Sequence, residues 1–281
     1  MSDALRIAHG AFGRVALLDM DRSLVRHAHP HCHVLLKVDG EDTQFLVGDR
    51  VVPLTDDLAV LVNAWETHAY VHDPRRKNAL ILALYIEPEW LKNFRPNWAA
   101  SGTPGFFERS AGEVTSEIRK LALELAAEMV YEPGAARIQE RLLSDLMITV
   151  IERFTPWRSI GASLSELARS QSVDWRVRKA IGLMRSDPTA DLSVCRLARE
   201  AGLSRAHFFR VFEDSTGVTP HVFLNVLKVE LAVGAVVGGD ESFASIGERL
   251  GFNAPAHFTR FFRDHADVAP STFRSVARLG H

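Results

Sequence analysis

Within seven residues, His27-Ala28-His29-Pro30-His31-Cys32-His33, the chain places four imidazoles and a thiol, and another imidazole follows at His68. Imidazole nitrogens and thiolate sulfur are ligands for zinc, copper, nickel and iron ions. On a strand the alternate histidines would share one face, with His68 approaching from across a sheet, although Pro30 interrupts any regular strand there. The run is open to three readings: a metal site, histidines lining a pocket for an organic effector, or a strand entry with no ligand role. Arg22 and Arg26, four apart and read as lying on the preceding strand, face away from the histidines. Such a pair can clamp a phosphate or carboxylate through paired hydrogen bonds, and with Arg75, Arg76 and Lys77 would suit an anionic or nucleotide ligand. The plain alternative is two solvated arginines. The candidate ligand-binding set is thus Arg22, Arg26, His27, His29, His31, His33 and His68.

A second kind of chemistry resides in a repeat. GLSRAHFFRVFEDSTGVTP runs from Gly202 to Pro220, and GFNAPAHFTRFFRDHADVAP from Gly251 to Pro270. The offset is one residue longer after the glycine, so the second copy has one more residue in its turn. Each copy reads helix, turn, helix. Ser193 is a natural cap for the first helix, with Val194, Leu197 and Ala198 at helical spacing. Gly202 supplies a left-handed helix stop, and Ser204 caps a second helix whose buried stripe is Phe208, Val211 and Phe212. Ala198, with Gly247 as its counterpart, is small where two helices must cross closely. Arg205, Ala206, Phe209 and Arg210 are left facing outward. In the second copy Asn253, Ala256, His257, Thr259 and Arg260 have that phase. Guanidinium groups on such a face pair with guanine edges or phosphates, and His207 either packs or contacts phosphate. The bland alternative, two helical hairpins in an ordinary bundle, does not account for the matched glycines, arginines and outward Phe209.

These residues closely resemble the DNA-binding domain of the AraC/XylS family of transcription regulators, whose pattern is a pair of helix-turn-helix units. The resemblance rests on LAREAGLSRAHFFRVFEDSTGVTP and IGERLGFNAPAHFTRFFRDHADVAP and covers about 110 residues. Asp267 and Ala269 depart from the pattern, standing where the first copy has Gly217 and Thr219, and are expected to weaken a helix end by about 1 kcal/mol each. The resemblance implies two recognition helices entering adjacent major grooves about 34 Å apart. It also implies an N-terminal cupin-like module that senses a small molecule, a homodimer made through a helix of the middle segment, and RNA polymerase as a partner if the protein activates. A cupin metal site wants a carboxylate shortly after its His-x-His, where this chain has Lys37. That counts against the competing class, a metal-dependent cupin enzyme or metal-sensing regulator using the His27–His33 cluster. No enzyme activity and no cofactor are expected.

The elements that must position these groups follow from periodicity. Short apolar runs (VALLDM, HVLLKV, TQFLVG, LAVLVN, ALILALYI) separated by turn residues predict a sandwich or barrel over residues 14–86. Residues 113–154 predict two amphipathic helices broken at Pro133-Gly134, with stripes Ile118, Leu121, Leu125, Met129 and Ile138, Leu142, Leu146, Val150. Val177, Ile181 and Met184 mark the first helix of the C-terminal domain, and Thr219-Pro220 opens a long apolar helix ending at Gly238-Gly239. The expected fold class is α+β in two domains. A cupin-like β-barrel or jelly roll (1–100) is followed by a helical dimerisation and linker segment (101–156), a hinge (157–170) and an all-α double helix-turn-helix domain (171–281).

Composition sets outer bounds. Of 281 residues 47% are apolar and 24% charged, the profile of a globular protein. Two cysteines far apart offer no disulfide framework. No leader or uninterrupted membrane-length apolar run is read, so a cytoplasmic location is expected. Residues 171–281 hold 14 Lys and Arg against 12 Asp and Glu. DNA contact would therefore depend on where the arginines sit rather than on bulk charge.

Overall fold

The computed structural model describes residues 3–155, 174–189, 193–266 and 268–277. They group into two compact units, one of residues 1–160 with 271–281, the other of residues 161–270. The expected hinge at 157–170 and the departure at Asp267 lie outside the described residues.

The first unit begins with nine strands: β1 (Asp3–Gly10), β2 (Gly13–Met20), β3 (Cys32–Gly40), β4 (Thr43–Val47), β5 (Arg50–Leu54), β6 (Leu58–Val62), β7 (His68–Val71), β8 (Ala79–Ile86) and β9 (Ala111–Glu113). One sheet runs β1-β2-β8-β3-β6-β9 and the other β5-β4-β7, and the named strand pairs are antiparallel. Among the described residues no strand ladder joins the two sheets, so the barrel closure expected from the sequence does not form.

Alternation along β3 decides what each face sees. Cys32, Val34 and Leu36 point into an apolar core shared with Leu82, Leu84 and Ile86 of β8 and with helices α2 (Ser116–Tyr131) and α3 (Ala136–Phe154). The opposite parity, His33, Leu35 and Lys37, is buried as well. Both faces of the large sheet are therefore covered, which is why its central strands read as continuous apolar runs. Thr115 caps α2 by accepting from the Ile118 amide. The α2 stripe is Ile118, Ala122, Leu125, Ala126 and Met129. In α3 the expected Ile138, in the first turn of the helix, is exposed, and Gln139 is buried instead. The Gln139 side chain donates to the Glu132 carbonyl at 3.0 Å. Two short helices, α1 (Pro88–Lys92) and a 3-10 turn at Pro96–Gly102, bring Trp90, Leu91 and Trp98 into the same core.

The second unit contains α4 (Trp175–Ser186), α5 (Val194–Glu200), α6 (Arg205–Thr216), α7 (Pro220–Gly238), α8 (Phe243–Arg249) and α9 (Pro255–Ala266). Its core is Val177, Ala180, Met184, Leu197, Phe208, Phe212, Phe223, Val226, Val229, Val236, Ile246, Phe258 and Phe262. Ala180 is buried where Ile181 was expected, while Ile181 is half-buried. α7 packs against α4, α6, α8 and α9. By length and composition it is long and apolar enough to cross a membrane, but its buried stripe (Phe223, Val226, Val229, Val233, Val236) is that of a core helix. The last helix, α10 (Pro270–Ala277), straddles the boundary, because residues 271–281 group with the first unit. There the Phe273 ring lies 5.6 Å from the Arg14 guanidinium.

Candidate nucleic-acid interface and a buried histidine cluster

The two helix pairs are built as their sequences require. Ser193 accepts from the Arg196 amide, Ser204 from the His207 amide, Thr219 from Val222 and Ser242 from Ser245, so α5 to α8 each begin with a side-chain cap. Gly202 and Gly251 adopt φ of 68° and 81°, conformations that a Cβ would oppose. Residues 201–204 separate α5 from α6, and residues 250–254 separate α8 from α9, which accounts for the longer second offset. A Cβ on Gly247 would meet Phe258 Cβ at 2.9 Å, so α8 crosses α9 at its backbone.

On α6, Phe208 and Phe212 are buried while Arg205, Ala206 and Arg210 are exposed. Phe209 is half-buried rather than fully outward. Its ring lies 5.8 Å from His221 and 5.9 Å beneath the Arg205 guanidinium. Arg210 forms no ion pair with any described residue. On α9, Phe258 and Phe262 are buried, Ala256, His257 and Arg260 are exposed, and Thr259 is half-buried. Asn253, in the preceding turn, is exposed. Arg260 lies 3.7 Å from Asp264 one turn on. His207 is half-buried.

In the first unit the histidine run is split by the fold. His27, His29, His33 and His68 come together, each no more than 3% exposed. His27 forms an isolated backbone bridge with His68 on β7, and His33 on β3 is in register with Tyr85 on β8, their rings stacked 4.0 Å apart. Ring centroids lie 4.5 Å apart for His27–His68, 4.8 Å for His27–His29 and 5.0 Å for His29–His68. Burial, reinforced by mutual repulsion and by Arg14, holds His29 and His33 well below the ordinary imidazole range. Burial and then His27 lower His68 to about 3. His29, His33 and His68 are thus held as neutral imidazoles.

Two other residues of the run, one of them the candidate His31, are elsewhere. His31 turns out to meet Glu87 at 2.8 Å, a bond that is the main cause of the lowered Glu87 pKa. Cys32 has the wrong strand parity and lies in the helix-side core, where burial pushes its thiol up to about 12. Lys37 shares the His33 face, and although burial opposes its charge, Asp42 at 2.6 Å and Asp56 at 3.3 Å outweigh that and raise its pKa.

The arginine clamp does not assemble. β2 ends at Met20, so Arg22 and Arg26 lie on irregular chain rather than a strand. Arg22 pairs with Asp21, and Arg26 with Asp49 and the Gly48 carbonyl. Arg76 donates to the Asp42 carbonyl and, with Lys77, lines a polar cleft bordered by Thr43, Gln44, Tyr70 and His72. Sequence reasoning missed Tyr85, though its parity within ALILALYI marks it as facing away from Leu84 and Ile86. It also missed Trp65, whose amide donates to the His29 carbonyl at 2.7 Å from a backbone with φ of 66°.

Comparison with known proteins places these observations. A family model described as a helix-turn-helix domain matches residues 197–275. A curated relative, an uncharacterized HTH-type transcriptional regulator of Haemophilus influenzae, is 29% identical over 84 residues, which is 30% of this chain and 28% of that protein. The apo structure of a ToxT variant from Vibrio cholerae aligns over 96% of this chain and 99% of its own, with a TM-score of 0.56 and 13% identity. Wild-type ToxT bound to an unsaturated fatty acid aligns over 93% and 94%, with a TM-score of 0.52 and 12% identity. These two likenesses concern the two-domain fold. With their paired, capped units and the matching family model, residues 197–275 form an AraC-type helix-turn-helix domain, a DNA-binding module.

Proposed function

We propose that the chain is a sequence-specific transcription regulator that reads double-stranded DNA through α6 and α9 and answers to a small-molecule effector held by its first unit. The reading face comprises Arg205, Ala206, His207, Phe209 and Arg210 in one unit, and Asn253, Ala256, His257, Thr259 and Arg260 in the other. The observation that carries the proposal is the repetition itself. Two helices of matched phase are each preceded by a left-handed glycine, each bury two phenylalanines and each leave an arginine in solvent, which is the layout of a helix entering the major groove.

The similar ToxT has been solved with an unsaturated fatty acid, and an anionic effector of that kind would meet Arg76 and Lys77 in a cleft that Asp42 and Asp73 also line. Effector binding would bias which half-sites are engaged together. In this reading a second copy of the chain is a partner, as is RNA polymerase if the protein activates, and the site of action is the cytoplasm.

The test is a gel-shift assay with DNA flanking the protein's own gene, run with and without fatty acids and nucleotides that raise the melting temperature. Retention of that DNA over random competitor, altered by a stabilising compound, is the expected result. Equal affinity for any duplex would overturn the regulator reading.

A further inference from the structure

Four imidazoles buried side by side are costly to the fold, because a buried ring nitrogen without a hydrogen bond loses its water partner and gains none. Nε2 of His29 and Nε2 of His33 are buried without such a partner. The other two rings are oriented from behind. His27 Nδ1 donates to the Val25 carbonyl at 2.7 Å, and His68 Nδ1 donates to the Glu66 carbonyl at 3.1 Å. Those bonds place the ring proton on Nδ1 and leave Nε2 of both residues as the lone-pair nitrogen. A backbone carbonyl behind each imidazole is how ligating histidines are held in metal sites. The Trp65 amide fixes the loop carrying His29 in the same manner, through the His29 carbonyl.

Distances agree with this reading. One ligand atom from each of His27, His29 and His68 lies within 4.8 Å of the others. His33 Nδ1 is 3.3 Å from His68 Nε2. A tetrahedral ion with bonds of about 2.0–2.1 Å has ligands roughly 3.3 Å apart. With His68 Nε2 holding a lone pair, the His33 contact is an N–H···N hydrogen bond, which the ion replaces once His33 turns its unpartnered Nε2 toward it and the other three rings rotate inward.

We infer that His27, His29, His33 and His68 bind one divalent transition-metal ion of the zinc class. The ligand set is all imidazole, which suits zinc, nickel, copper and iron and disfavours magnesium and calcium, for which carboxylate oxygens are needed. The ion braces the first unit. His33 belongs to the six-stranded sheet, His68 to the three-stranded sheet, and His27 and His29 to the segment between β2 and β3, so coordination ties together two layers that no strand ladder joins. This site is separate from the DNA-reading helices and does not depend on them.

The experiment uses the full chain stripped with a chelator and titrated with Zn2+ by calorimetry and with Co2+ by visible absorption. Expected are one ion per chain, the intense ligand-field bands of tetrahedral cobalt, and a rise in melting temperature. His29→Gln and His68→Gln should each lower affinity by about tenfold or more. His31→Gln, whose side chain meets Glu87 instead, should bind as the wild type does. Should a glutamine variant lose its circular dichroism, the wild-type cobalt spectrum decides, since octahedral bands or none overturn the proposal. Uptake persisting in a folded His29→Gln/His68→Gln double variant marks adventitious surface binding and overturns it too. A gel shift on the same stripped and loaded samples reads the DNA activity independently.

Discussion

Arg210 and Arg260 hold the same position in the two copies and Arg205 begins the exposed side of α6, yet their surroundings rank them. Arg260 is near Asp264 and Arg205 lies over the Phe209 ring, so each gives up an existing contact on meeting DNA. Arg210 is exposed, has no ion-pair partner among the described residues, and surrenders nothing. Arg210→Ala is expected to weaken specific DNA binding by about 1–3 kcal/mol, the worth of one good base contact. Its melting temperature should stay near wild type, since surface substitutions of this kind stay within about 0.5 kcal/mol. Paired gel-shift and thermal-denaturation measurements check this, and an unchanged affinity at physiological salt removes Arg210 from the reading face. The ranking itself was not legible in sequence. Phase follows from spacing, whereas Asp264 and Phe209 act as partners only through the rotamers the fold selects.

At the scale of elements, the second helix-turn-helix unit depends on one missing methyl group. Gly247 sits where a Cβ would press on Phe258 Cβ, and that backbone-proximal atom cannot swing aside. Gly247→Ala should destabilise the unit by about 1–3 kcal/mol through overpacking. Gly202→Ala meets no neighbouring atom but must hold φ at 68°, and is expected to cost about 1–2 kcal/mol from backbone strain alone. Urea denaturation of both variants measures the two effects. A neutral Gly247→Ala would mean that the helices do not cross as closely as the structure has them. Here the sequence was informative, because caps, turn glycines and small residues at crossings are local signals. It placed Ile138 and Ile181 in stripes whose other members, Leu142, Leu146, Val150, Val177 and Met184, are buried as expected, because spacing gives a helix's phase but not which neighbours cover each turn.

For the molecule as a whole, a net charge of −2 leaves DNA affinity to a few placed cations. Binding should therefore fall with salt, and each phosphate-contacting arginine or lysine removed should lower the slope of log affinity against log salt by about one unit. Measuring that slope for wild type and for Arg260→Ala separates a phosphate contact from a base contact. A slope near zero in the wild type would argue against DNA as the partner of this face.

Sequence by itself determined the helix-turn-helix repeat, its caps, its outward arginines and the two-domain α+β class. All of these rest on interactions within a few residues or on periodicity that burial imposes along one element. Only the tertiary structure decided the fate of the histidine run. Strand parity sends Cys32 to the helix-side core, Glu87 draws His31 away, and the bridge to His68 gathers His27 and His29 against His33. It also dispersed the arginine clamp, giving each guanidinium its own carboxylate. Such outcomes depend on which strands pair and in what register, and register is set by contacts between residues far apart in the chain.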